Sequence, residues 1–379
     1  MQTAAILWHV SLLAAPGRKG IALGLVGAAQ VVPIIAFAMV SGVVADALDR
    51  RKVMIVTQTI MAVLAATLAA LTFAGLRTIW PIYLLAALSS AAASFDGPAR
   101  QALIPNLVPR EDLPSAISLN TLMFQIASVL GPSLAGLVIA GAGIGWVYGV
   151  NAASFVMVLV ALALMRARPR VGLPPETRIT WAAAREGLRF VFAQPIVRST
   201  MLLDFIATFF ASATALLPIF AQDILRVGAR GYGWLYAAPS VGAVAAGVVT
   251  AHTIDRIERR GAVLLWSVAA YGAATVVFGL SARFWLTLLC LACVGAADTV
   301  STVIRNLIRQ LETPDALRGR MTGVNMMFFM GGPQLGELEA GVTAQFLGAT
   351  FSVVSGGLGC LTATAVVAWR ERRLRQYRR

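Results

Sequence analysis

A chain of 379 residues that is 58% hydrophobic and only 13% charged, with a mean hydropathy of +0.78, carries too little charge to cover a soluble surface of its size. Its apolar stretches are about 20 residues long, the length that crosses a hydrocarbon core about 30 Å thick. Lipid offers backbone groups no partners, so these stretches must be helices. The net charge of +14 would suit nucleic acid, but its uneven placement along the chain excludes that partner.

In chain order, the apolar runs predict twelve helices and an all-α polytopic membrane protein. The first is partial, near 1–15, followed by 21–46, 53–75, 79–99, 114–140 and 145–165. The second set covers 198–221, 231–253, 262–281, 284–305, 320–346 and 349–369. With the loop after the second helix in the cytoplasm, most of the 31 basic residues fall on that side. They run from Arg50, Arg51 and Lys52 through Arg305, Arg309, Arg318 and Arg320 to the arginine-rich tail from Arg370. Only Arg18, Lys19, Arg77, Arg226, Arg230 and Arg283 fall on the other side. This is the positive-inside pattern. It predicts a multi-pass protein of a cell (cytoplasmic) membrane with a cytoplasmic C-terminus and anionic lipid beside its basic loops. No cleavable signal peptide is evident at the start. The first span, 15 residues at 1.5 Å each, reaches roughly 22 Å, and the repeat offset suggests that its first seven or eight helical residues are missing, a truncated first helix.

The chain repeats itself at a period of about 200 residues. Gly42 leads to Asp46 and the basic turn Asp49-Arg50-Arg51-Lys52, as Gly247 leads to Asp255-Arg256 and Arg259-Arg260. Asp96 precedes Gly131-Pro132 and Gly136 in the way that Asp298 precedes Gly332-Pro333 and Gly336. Two six-helix halves of this kind are typical of secondary transporters, whose solute site lies between the repeats. The expected domains are therefore 1–166 and 196–379. A cytoplasmic linker, 167–195, separates them and carries an interfacial helix with Trp181, Leu188 and Phe192 on one face.

These residues resemble the major facilitator superfamily. Gly42-x-x-x-Asp46 with Asp49-Arg50-Arg51-Lys52 is similar to its signature between helices 2 and 3. The run from Phe95 to Pro105, with Asp96 and Arg100, resembles the exporter branch that holds enterobactin-exporter-like and macrolide-efflux-like proteins. Glu186-Gly187-Leu188-Arg189-Phe190, and Thr313-Pro314-Asp315 with Leu317-Arg318-Gly319-Arg320, fit the same branch. Ala47 and Ser128 depart from it, standing where relatives often carry arginine. The resemblance implies a secondary transporter that exports a drug- or siderophore-like amphiphile by proton antiport and alternating access. A facilitator or importer of the same fold, or a receptor or scaffold, is the alternative.

The resemblance also implies a gate in which Asp46 meets the start of helix 11 near Arg318 and Arg320, an anion at a helix N-terminus. Asp96 and Asp298, as repeat mates, are read with Arg50, Arg51 and Arg100 as gate or scaffold groups. Gly131, Pro132 and Gly136, like Gly332, Pro333 and Gly336, read as hinges, since proline removes a backbone donor and glycine permits close approach. Charges at membrane depth are costly and point to function. Asp204 in helix 7 and Glu337 and Glu339 in helix 11 are the proton or solute candidates. Two positions apart on one helix, only one of the two glutamates faces a cavity easily, and Glu337 follows the more adaptable stripe of Met326, Met330 and Pro333. A carboxylate withdrawn from water there is the kind of group that takes up and releases protons. Gln334, Asn325, Gln125, Asn120 and Tyr236 are weaker cavity candidates. Gly141, Gly143 and Gly145 have no strand before them and read as a turn, not a phosphate loop. Cys290-x-x-Cys293 has no partner motif and reads as helix packing. No enzyme, cofactor or metal signature is present, and the expected partners are the solute, protons and lipid around a monomer.

Overall fold

The computed structural model describes residues 1–15, 17–165, 189–210, 214–314 and 317–378; the side chains of some helical residues, among them Asp46, Gln125, Arg318 and Arg320, also lie outside the description. The latch expected at Asp46 and most of the interfacial linker helix therefore concern residues outside those described. Helix is the only extended secondary structure among the described residues. In order, they form α1 (Gln2–Leu13), α2 (Lys19–Ala47), α3 (Arg50–Phe73), α4 (Trp80–Leu107), α5 (Leu113–Gly141) and α6 (Ile144–Leu164). The second set is α7 (Pro195–Phe210), α8 (Gly228–Thr253), α9 (Arg260–Leu280), α10 (Phe284–Glu312), α11 (Arg318–Leu347) and α12 (Ala349–Arg370). Among the described residues, nine helical segments are long and apolar enough to cross a membrane.

Local chemistry sets the helix ends. Asp49 caps α3, its carboxylate accepting from the N–H of Arg51 at 2.9 Å and of Lys52 at 3.4 Å. The turn from α5 to α6 places Gly143 at φ 97°, and the turn from α11 to α12 places Gly348 at φ 91°, a region closed to most side chains. These two glycines occupy equivalent positions in the two repeats, so the same tight turn joins the last helix pair of each half. Pro132 and Pro333 likewise lie inside α5 and α11, both of which continue past them.

By contact, the chain divides into two compact units. The first comprises Met1–Ala14 and Ala29–Ile179, and the second Ala15–Ala28 and Thr180–Arg379. In the first unit, α3 packs against α4 and α6. In the second, α10 packs against α8 and α9, α9 against α12, and α7 against α11. The opening turns of α2 group with the second unit for a physical reason. Gly20, Gly24 and Gly27 have no side chain, and their Cα faces lie on the backbone of α11 around Gln334, Glu337, Gly341 and Gln345. Lys19 adds an ion pair to Asp223 at 2.9 Å.

Candidate functional site

The second unit holds a buried cluster of charge. Asp204 on α7 is 2% exposed and lies between two arginines of α10, Arg305 and Arg309, which are 1% and 2% exposed. Arg305 Nη2 stands 3.0 Å from Asp204 Oδ1 and 3.6 Å from Asp298 Oδ1, and Arg309 Nη1 stands 3.7 Å from Asp204 Oδ2. Further hydrogen bonds engage the guanidinium groups. Arg305 donates to Thr302 Oγ1 at 2.7 Å, and Arg309 donates to Asn306 Oδ1 at 2.8 Å, to the Arg305 carbonyl at 3.2 Å and to Asn325 Oδ1 of α11. Two cations and two carboxylates balance. Such a cluster is held by mutual attraction against a desolvation penalty of several kcal/mol per ion.

Asp204 is thus buried and paired. Asn325, one of the cavity candidates, is committed to Arg309. Arg305 and Arg309 correct the sequence reading, which ended the helix at 305 and counted both as loop cations. In the structure α10 continues to Glu312, carrying both into the interior. The signal was available in their spacing: Asp298, Thr302, Arg305 and Arg309 recur every three or four residues, on one helical face.

The first unit has a smaller counterpart. Asp96 on α4 accepts from Thr57 Oγ1 at 3.1 Å and Gln58 Nε2 at 2.9 Å, both on α3. Arg100, one turn along α4, donates to the other carboxylate oxygen at 2.8 and 3.1 Å, and its side chain is 44% exposed. Arg51 reaches the Ala163 carbonyl of α6 at 3.0 Å. Arg50 is half-buried and Asn120 is exposed.

On α11, Glu337 sits ten residues before Leu347, about 15 Å along the axis, against the bare backbone of Gly27. Tyr236 of α8 lies within electrostatic range of it. Gln334, one turn earlier, has its side-chain oxygen buried without a hydrogen-bond partner among the described residues. Glu339 instead accepts from Thr343 Oγ1 at 2.8 Å. Gly332 lies against Thr208 and Phe205 of α7, where a Cβ would meet Thr208 Oγ1 at 2.6 Å, so its stripe is a close-packing face. Gly131 lies beside the Met1 amino group, and Pro132 and Gly136 are buried. Among the described residues, no group of histidine, cysteine and carboxylates could hold a metal ion.

Comparison with known proteins bears on the whole chain. The model of a family described as transmembrane secretion effector matches residues 1–378. The enterobactin exporter EntS of Shigella boydii serotype 18 is 30% identical over 369 residues, which cover 95% of this chain and 85% of the relative. EntS of Escherichia coli O81 is similar to the same extent. Among solved structures, the nucleoside transporter NupG superposes with a TM-score of 0.74 at 14% identity, covering 99% of this chain and 97% of that one. A bacterial homologue of the iron transporter ferroportin, in an inward-facing state, gives 0.73 at 18% identity over 98% and 96% of the two chains. A D-xylose–proton symporter gives 0.71 at 13% identity over 97% and 93%. At these identities the structures speak for the fold.

Proposed function

The chain belongs to the transmembrane secretion effector family of the major facilitator superfamily, and from that premise we propose that it exports a small amphiphilic organic solute, drug- or siderophore-like, by proton antiport and alternating access. Its kinship with exporters makes it a membrane exporter of small molecules and a transporter rather than an enzyme. In this proposal protons are the coupling ion and the cell membrane is the site of action. Relatives that export enterobactin support a siderophore-like solute.

The observation that carries proton coupling is Glu337. It is a carboxylate about 15 Å from the end of a membrane helix, with no hydrogen-bond or ion-pair partner among the described residues. Asp204 and Asp298 both pair with Arg305, and Glu339 accepts from Thr343. Glu337 has a glycine backbone, an unpaired amide oxygen one turn away and a tyrosine nearby. Such a group changes charge at the least structural expense, because no partner is abandoned when it takes a proton.

Proteoliposome flux under an imposed pH gradient tests this, with enterobactin and a panel of amphiphiles as solutes. Wild type should accumulate solute against the proton gradient. Glu337→Gln should lose gradient-driven flux and retain solute binding. Full proton-coupled flux in that variant would remove Glu337 from the mechanism.

A further inference from the structure

We propose that the groove enclosed by α2, α3 and α4 in the first unit is a binding site for one anionic phospholipid, with its acyl chain along α3 and its phosphate at Lys52. The groove has a volume of about 630 Å³ and is lined by residues of all three helices. Its wall is predominantly apolar, with Phe37, Val53, Val56, Ile60, Leu88 and Phe95 among the lining residues.

Its polar groups are few and all but one are committed. The Thr57 hydroxyl donates within its own helix and to Asp96, at 3.1 Å in each case. The Asp49 carboxylate caps α3. Lys52 remains, exposed at the mouth, with no partner for its ammonium group among the described residues. A polar organic solute needs several convergent hydrogen-bonding groups to fix its orientation, and the wall offers none. A hydrocarbon chain needs only apolar contact, and a phosphate needs a cation at one end.

The dimensions agree with that occupant. From Lys52 at the mouth to Leu64, the last lining residue of α3, is twelve residues or about 18 Å. One leaflet of a hydrocarbon core of about 30 Å is about 15 Å deep. The distribution of basic residues puts the Lys52 end at the cytoplasmic surface, where anionic headgroups are concentrated. The groove thus has the length of one leaflet, a greasy wall and a single cation at the headgroup level.

The test uses the full chain in nanodiscs that contain phosphatidylglycerol or phosphatidylcholine bearing a photoactivatable group in the acyl tail, with crosslinked peptides mapped by mass spectrometry. Crosslinks from phosphatidylglycerol should concentrate in 37–64 and 88–95. Lys52→Glu should lower them by about fivefold, which corresponds to about 1 kcal/mol for a basic residue near an anionic surface. It should leave the phosphatidylcholine crosslinks unchanged. Val56→Trp fills the groove from an exposed position and should deplete the same peptides with an unaltered thermal transition; Ile60→Phe is the second filling variant if that one unfolds. Crosslinks spread evenly over all helices, or an equal yield from both lipids, would overturn the proposal. So would competition for these peptides by an exported amphiphile in lipid excess, which would assign the groove to solute.

Discussion

Asp96 and Asp298 occupy the same place in two repeats, yet their surroundings have diverged. In the first unit, one carboxylate is satisfied by neutral donors of α3 and by a half-exposed arginine one turn away. In the second, the cation has moved to Arg305, two turns along α10, where it reaches a second carboxylate, Asp204, on another helix. The same helices also contribute to an apolar jacket: Leu203, Ile304, Ile308, Leu264 and Leu374 belong to one buried cluster. The first arrangement ties two helices through buried neutral donors, and its cation, Arg100, is half-exposed. The second ties α7, α10 and, through Asn325, α11, and in it both arginines and Asp204 are buried while Asp298 is half-exposed. Duplicated helices therefore keep the position of a carboxylate while changing how far its removal propagates.

The largest effect expected from this contrast is at Asp204. Asp204→Asn strands Arg305 and Arg309 in a buried site, where among the described residues the half-exposed Asp298 still pairs with Arg305 and Arg309 has no remaining carboxylate. The loss should be about 3–5 kcal/mol, the range for breaking a buried pair from one side. Equilibrium unfolding in mixed micelles would read it. A loss below about 1 kcal/mol would mean that the cluster is hydrated and the contrast unreal.

Asp96→Asn should cost about 1 kcal/mol by the same measurement. The amide oxygen still accepts from Thr57 and Gln58, and Arg100 returns to water at little penalty. An effect equal to that of Asp204→Asn would break the comparison.

Much of this was legible in the sequence, for reasons that differ by element. Long apolar runs give helices because lipid allows nothing else, and the paired Gly-Pro and Asp positions revealed the repeat. The Gly143 and Gly348 turns were legible in part: the first was read as a turn from its place between two apolar runs. Arg305 and Arg309 were not, because a basic residue near the end of an apolar run looks the same whether the helix stops or continues inward. The difference lies in partners on α7 and α11, and a single helix does not show those. The tail was missed likewise. Its arginines read as a solvated or lipid-facing run, whereas Leu374 within it is 1% exposed and packs into the jacket.

That tail supplies the smallest expected effect and the finest probe of the jacket. After α12 the chain turns back, and the Tyr377 carbonyl accepts from the N–H of Gly261 at 3.2 Å. The Tyr377 hydroxyl donates to Glu312 Oε1 at 2.9 Å, fastening the turn to the end of α10, while Arg198 and Glu371 approach to 3.5 Å. Burial, and then the Glu312 carboxylate that accepts its proton, push the phenol up from 10.0 to about 12. A folded-state value above the unfolded one stabilises the fold fully below about pH 10, and the contribution disappears as pH rises through about 12. Tyr377→Phe should therefore lower stability by about 0.5–1.5 kcal/mol at neutral pH, the net worth of one hydrogen bond. The difference between wild type and variant should shrink steadily above pH 10. A difference that stays constant to pH 12 would show that the ring's packing, and not its hydroxyl, holds the tail in place.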